Sequence, residues 1–212
     1  MSNLSEATIS RMPLYLRELV QLQRAGQSRV QSGVLARRLG LNDAQVRKDL
    51  SAFGQLGQRG VGYEVQGLIE TIQRTLGGDR SWKMVLVGVG NLGTALSGYR
   101  GFEQHGFKLV GAFDNSPAKI GQKLGELTIR PLQELDSFVK EAGVELAILA
   151  VPASVATGVV KRLELAGVTG ILNFAPAALN LPQSSATVVS VDLAVEMQRL
   201  AYAVLRSKPE MD

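Results

Sequence analysis

Cysteine is absent from the 212-residue chain and histidine occurs once, at His105. Disulfides, thiolate zinc sites, iron–sulfur clusters and thiol switches are thereby excluded, as is a metal site built on a histidine cluster. Long apolar runs are also missing. None approaches the roughly 18 residues that span a bilayer, and the N-terminus lacks the apolar stretch of a secretory signal. Aromatic residues are only 5% of the chain, yet hydrophobic residues reach 45% against 20% charged. That balance supports a packed core and excludes wholesale disorder. The absences predict a cytoplasmic protein with no membrane and no metal, built as one or two domains.

Acidic residues are scarce in the first third. Residues 1–63 hold nine basic groups (Arg11, Arg17, Arg24, Arg29, Arg37, Arg38, Arg47, Lys48 and Arg59) and four acidic ones, a net charge of +5. The other 149 residues sum to −1, so the whole excess of the +4 chain lies at one end. Such asymmetry fits a polyanion-binding module joined to a neutral domain, or simply a well-solvated basic surface.

The basic segment has a helical grammar. Leu16, Leu19, Val20 and Leu22 predict a helix over 14–25, with Pro13 in its first turn or just before it and Gly26 ending it. Beyond it, Ser32 is placed to cap a short helix, Gly40 to make a tight turn, and Asn42 or Asp43 to cap a second helix. Small Ala36, the turn glycine and apolar Val46 and Leu50 fit a helix-turn-helix, although an ordinary helical hairpin shares the pattern. At 100° per residue, Val46, Leu50 and Phe53 share the inner face of the second helix. Ala44, Lys48 and Ser51 then point outward, flanked by Gln45 and Arg47. A major groove asks for small residues for close approach, Arg or Lys for guanine and Gln for adenine. The glycine-punctuated run 54–65 predicts a β-hairpin, with Arg59 and Gly60 near its tip. A hairpin directly after a helix-turn-helix is a wing, and an exposed arginine there suits a narrow minor groove.

A connecting helix is predicted over 67–76, and Gly77-Gly78-Asp79 reads as a linker. Lys83–Val87 then reads as an apolar strand leading into Gly88-Val89-Gly90-Asn91-Leu92-Gly93 and a helix. The glycine pattern alone is weak; between a strand and a helix it is the setting of a dinucleotide loop. A second strand, 108–113, ends at Asp114, which is placed to accept from the adenosine ribose hydroxyls and to repel a 2′-phosphate. Asn115 follows, and no arginine, which favours NADH and NAD+ over the phosphorylated dinucleotides. Helices over 132–141 and 154–166 alternate with strands over 146–150, 171–174 and 188–191. The alternation predicts an α/β parallel sheet covered on both faces. Its ligand-facing loops would be Ala150-Val151-Pro152 and Asn173-Phe174-Ala175. The C-terminal helix, 192–206, is apolar over much of its girth through Leu193, Met197, Leu200 and Val204, and needs burial on more than one side.

No convincing catalytic set accompanies this nucleotide fold, and His105 reads as a surface residue. A small NAD-dependent oxidoreductase and a CoA- or nucleotide-binding subunit share the glycine loop, but neither needs a winged basic module. Val46–Gly54, Gly60–Tyr63, Val87–Gly93 and Asn173–Pro176 together resemble the redox-sensing transcriptional repressor family Rex, over essentially the whole chain. The resemblance implies a homodimer that binds inverted-repeat operator DNA when NADH is low and releases it on binding NADH. The domains are read as a winged helix over 1–78, a Rossmann domain over 79–191, and a C-terminal dimerisation helix with its tail over 192–212; the resemblance implies that this helix inserts into the partner subunit. Arg47 and Lys48 would then meet the major groove and Arg59 the minor groove, with Arg17, Tyr99 and Asp192 coupling nucleotide state to domain orientation. Leu193 stands where some members carry an aromatic residue beside the nicotinamide.

Overall fold

A computed structural model describes residues 4–54, 57–58, 61–176, 179 and 184–207, apart from the side chains of Gln58 and Ser207. The chain divides into two compact units, Met1–Arg80 and Ser81–Asp212. No helix among the described residues is long and apolar enough to cross a membrane.

The first unit begins with α1 (Glu6–Arg24), whose buried stripe is Thr8, Met12, Tyr15, Leu16, Leu19 and Leu22. The helix starts eight residues earlier than the sequence suggests. Ser5 caps it, and Pro13 lies inside it rather than at its start. Proline deprives the Ile9 carbonyl of its helical donor, but Ile9 and Pro13 share the exposed face, where water can replace that bond. The inner stripe therefore continues unbroken past the proline.

β1 (Arg29–Val30) leads into α2 (Ser32–Leu39), which turns at Gly40 into α3 (Asp43–Ser51). Ser32 is the first residue of α2 and not its cap. The chain leaves β1 in extended conformation, so Gln31 takes the cap position and makes no side-chain capping bond. Asn42 does cap α3, its Oδ1 accepting from the Ala44 N–H at 2.8 Å. β2 (Gly57–Gln58) and β3 (Gly62–Glu64) form an antiparallel hairpin that β1 extends to three strands. α4 (Val65–Thr75) closes a core in which Tyr15, Leu19, Leu35, Val46, Leu50, Leu68 and Ile72 are buried.

The second unit runs through β4 (Trp82–Val87), α5 (Asn91–Ser97), α6 (Gly101–Gln104) and β5 (Phe107–Asp114). A hairpin of β6 (Lys123–Leu124) and β7 (Leu127–Pro131) follows, then a 3-10 turn and α7 (Leu135–Ala142). β8 (Leu146–Leu149), α8 (Ala153–Ala166), β9 (Gly170–Asn173), β10 (Thr187–Ser190) and α9 (Leu193–Ser207) complete it. Among the described residues the sheet has seven strands in the order β10-β9-β8-β4-β5-β7-β6, parallel except where β6 pairs with β7. The chain moves outward from β4 to β5 and β7, then returns to place β8 on the other side of β4.

The sheet is not covered evenly on both faces. α7 and α8 blanket one side, burying Leu135, Val139, Val159, Val160 and Leu163 against Val85, Val87, Ala147, Leu149 and Ile171. The helices on the other side, α5 and α6, are only seven and four residues long. They leave an apolar groove of about 490 Å³ lined by Met84, Phe102, Leu146, Ile148, Leu172 and Val189, among others.

Candidate nucleotide and nucleic-acid sites

The return of β8 beside β4 makes a topological switch point, and ligands of open α/β sheets bind where the strands' carboxyl ends part at such a point. The loops after β4 and β8 meet there. Gly88 has φ +95°, and a Cβ on it would lie 2.3 Å from the Ala150 carbonyl oxygen. A Cβ on Gly93 would lie 2.1 Å from the Gly88 carbonyl. These glycines let strand, loop and helix come together. Gly90 is different: a Cβ there meets nothing within 4 Å, and its extended φ of −80° suits any residue. The open space above Gly90 is where a dinucleotide's pyrophosphate can approach the backbone. Val89 is buried, while Asn91 and Leu92 are exposed at the start of α5.

Asp114 ends β5 beside this loop. Its Oδ2 accepts from the Val89 N–H at 2.8 Å and its Oδ1 from the Ser116 N–H at 2.9 Å. The Lys119 ammonium stands 3.4 Å from Oδ2. With 7% of its surface exposed, burial pushes the carboxyl up, but the two backbone N–H groups and Lys119 outweigh this and hold its pKa below the usual value. It is thus an anion at neutral pH. An ionised carboxylate has about four acceptor sites, so the two backbone bonds and Lys119 still leave capacity for a ribose hydroxyl. Asn115 is exposed just beyond.

Ala150, Val151 and Pro152 follow β8 directly, with the Ala150 N–H bonded to the Val87 carbonyl at 2.8 Å. Phe174 and Ala150 both pack against the apolar cluster that holds Leu86, Val89 and Ile148. The neighbouring Asn173 and Ala175 are braced inward. Asn173 is fully buried, its Oδ1 accepting from the Ala175 N–H at 2.9 Å and its Nδ2 donating to Ser190 Oγ at 3.2 Å. The Asn173 amide therefore shapes the loop between β9 and its ligand edge.

In the first unit, α3 exposes Ala44, Arg47, Lys48 and Ser51. Arg47 donates to Asp43 Oδ2 at 2.5 Å, a surface pair that is cheap to exchange for another acceptor. Ser51 donates to the Lys48 carbonyl at 2.7 Å. Gln45 is half-buried and donates to Asp49 Oδ1 at 2.9 Å. Arg59 and Gly60 lie outside the described residues. Arg17 is exposed on α1, Tyr99 is exposed with its ring edge-on to Phe102, and Asp192 caps α9 through its Oδ1.

Sequence reasoning missed Asp49. It is 1% exposed and accepts from Thr8 Oγ1, Arg11 Nη2 and Gln45 Nε2 through Oδ1. Its Oδ2 accepts from Arg11 Nε at 2.6 Å and the Tyr15 hydroxyl at 2.7 Å. Burial alone would raise its pKa, but the Arg11, Tyr15 and Gln45 hydrogen bonds outweigh that and hold it at about 2. The available signal was an acid on the otherwise apolar face of α3, with Thr8, Arg11 and Tyr15 at helical spacing on α1. Lys119, five residues after Asp114, was also overlooked. No group of three or more potential metal ligands occurs among the described residues.

Two family models match the chain, "Putative DNA-binding protein N-terminus" over residues 3–51 and "CoA binding domain" over residues 79–177. A redox-sensing transcriptional repressor Rex from Carboxydothermus hydrogenoformans is 49% identical, with 95% of this chain and 96% of the relative aligned. The Rex from Streptomyces coelicolor is 42% identical over 97% of this chain and 79% of its own length. Among solved structures, the Rex-family repressor RSP in complex with NAD+ and operator DNA superposes with a TM-score of 0.90 at 32% identity, covering 97% of this chain and 94% of that one. The RSP complex with NADH gives 0.87 at 30% identity, covering 97% and 96%. These relatives are named as repressors and not as enzymes. The chain belongs to the Rex family of redox-sensing transcriptional repressors.

Proposed function

We propose that this protein is a homodimeric cytoplasmic repressor that binds an inverted-repeat operator when NADH is scarce and releases it when NADH binds. The observation that carries this reading is the pairing of a winged helix-turn-helix with a switch-point glycine loop. There the space above Gly90 is open and an ionised Asp114 stands at the adjacent strand end. The complexes of RSP with NAD+ and operator DNA, and with NADH, support the same ligand classes. In this reading the winged-helix domain spans 1–78, the nucleotide domain 79–191, and the dimerisation helix with its tail 192–212.

Gly88, Val89, Gly90, Asn91, Leu92 and Gly93 with Asp114 and Asn115 hold the adenine half of the dinucleotide. Ala150, Val151, Pro152 and Phe174 line the way to the nicotinamide, and Asn173 and Ala175 keep that wall in shape. CoA is disfavoured because its ribose phosphate would face the Asp114 carboxylate. The oxidised nicotinamide is a cation, and burying an unpaired charge among apolar groups such as Val151 and Phe174 is costly. The neutral reduced form is therefore the preferred ligand.

Arg47, Lys48 and Ser51 on α3, with Gln45 beside them, read the major groove, and Arg59 and Gly60 of the wing reach the minor groove. Mobility shift on an inverted-repeat operator, with NADH, NAD+ and CoA as competitors, tests the assignment. Arg47→Ala should cost roughly tenfold or more in specific binding, the size of one lost bidentate base contact, while NADH affinity stays unchanged. Unchanged operator preference in that variant would remove α3 from the role of recognition helix.

The dimer reading rests on α9. Leu193, Met197, Leu200, Val204 and Leu205 are all exposed in the single chain, Leu200 by 55%. Apolar side chains exposed at helical spacing favour a partner, and a swapped α9 would supply one. Leu200→Asp with Val204→Asp should halve the particle mass in light scattering and abolish binding to the paired half-sites. A dimer that persists in the double variant contradicts the swap.

A further inference from the structure

The buried carboxylate on α3 carries a consequence for base reading that rests on α3 being the recognition helix. An ionised carboxylate accepts hydrogen bonds and donates none. The Gln45 atom 2.9 Å from Asp49 Oδ1 must therefore be the amide nitrogen, which turns the carbonyl Oε1 and the second N–H of that amide away from Asp49. Gln45 is the third residue of α3, in the turn that meets base edges in helix-turn-helix complexes. Its neighbours Arg47 and Lys48 are exposed.

We propose that Asp49 is a positioning residue for sequence recognition: it locks the Gln45 amide with nitrogen inward and carbonyl outward, so that α3 presents an edge that reads adenine. Oε1 accepts from adenine N6–H while the free amide N–H donates to N7, a pairing that needs this orientation of the amide. The other donors to Asp49 show why the lock is firm. Two nitrogens of Arg11, the Tyr15 hydroxyl and the Thr8 hydroxyl hold the carboxylate to α1. Those four bonds fix the orientation of the carboxylate, and with it the Oδ1 atom that Gln45 meets. The fifth bond, four residues back along α3, is the one that reaches the outer edge of the recognition helix.

The test is a panel of operator duplexes, each with one base pair changed, bound by the unaltered protein and by Gln45→Leu, Asp49→Asn and Arg47→Ala. The unaltered protein should prefer A·T about tenfold at one position of each half-site. Gln45→Leu should remove that preference and leave the other positions intact. Asp49→Asn should cut it to about threefold or less at the same position, since an amide at 49 can face Gln45 with either end. An even loss across the panel in Asp49→Asn, with the A·T preference kept, would overturn the proposal. Intact preferences in Gln45→Leu overturn it as well; if Arg47→Ala also leaves every preference intact, the recognition-helix reading falls with it. Should Asp49→Asn fail to fold, NMR of the unaltered protein decides. One of the two Gln45 side-chain amide protons should exchange slowly with solvent, whereas equally fast exchange of both contradicts the lock.

Discussion

Gly90→Ala is expected to give a repressor that folds normally, binds its operator and no longer responds to NADH. The three loop glycines make this variant informative. Alanine at Gly88 or Gly93 collides with backbone carbonyls at 2.3 and 2.1 Å and would distort the loop whether or not nucleotide is present. Alanine at Gly90 meets no protein atom within 4 Å and takes up an ordinary extended backbone. The added methyl group therefore costs the free protein little and takes up the space proposed above for the pyrophosphate. Overpacking of a close contact typically costs 1–3 kcal/mol, and loss of backbone hydrogen bonds to a charged group adds about 1.5–3 kcal/mol. NADH affinity should fall at least about a hundredfold, measured by nucleotide fluorescence, with thermal stability within about 0.5 kcal/mol of the unaltered protein. Unimpaired NADH binding would place the pyrophosphate elsewhere.

Asp49→Ala is expected to have the largest effect on stability, and the effect should concentrate in the first unit. Removing the carboxylate strips the buried Tyr15 hydroxyl of its acceptor and leaves the Arg11 guanidinium without its ion pair. Breaking a buried pair costs 3–5 kcal/mol. Arg11 keeps a fifth of its side-chain surface in water, so the lower end, about 3 kcal/mol, is the expectation. Hydrogen exchange should show α1 and α3 amides opening roughly a hundredfold faster, with the sheet of the second unit unaffected. The same carboxylate sets an acid limit. Its folded pKa of about 2 lies below the unfolded value of 3.8. The stabilisation, about 2 kcal/mol, is therefore complete above pH 4 and disappears as pH falls from 4 towards 2. The stability gap between the unaltered protein and Asp49→Ala should narrow over that window and stay constant from pH 5 to 8. A gap independent of pH down to 2 would show that Asp49 stabilises the fold without its charge.

Much of this molecule is legible in its sequence because its signals are local. The period-3.6 stripe of α4, the turn at Gly40, the Asn42 cap and the glycine loop after an apolar strand each depend on neighbours within a few residues. What escaped depends on distant partners. The first two turns of α1 could not be foreseen because Pro13 reads as a boundary; only the buried positions of Thr8 and Met12 show that the helix runs through it. Ser32 has the chemistry of a cap, but pairing of β1 with β3 hands that position to Gln31. Asp49 is an ordinary acid on paper and becomes the hub of the first unit only when α1 brings Arg11 and Tyr15 to it. The β6–β7 hairpin is too short, with two residues in β6, to show an alternating pattern. The open groove over β8, β9 and β10 follows from the brevity of α5 and α6, which composition does not reveal.

The central claim is that nucleotide and operator compete through a coupling between two sites, and coupling between equilibria is reciprocal. A hundredfold loss of operator affinity on binding NADH corresponds to about 2.7 kcal/mol, within the usual range for such coupling. Titration of NADH into the free protein and into the protein saturated with inverted-repeat operator measures it directly. NADH should bind the operator complex about a hundredfold more weakly than the free protein, with NAD+ showing a much smaller difference. Equal NADH affinities in the presence and absence of operator would contradict the coupling.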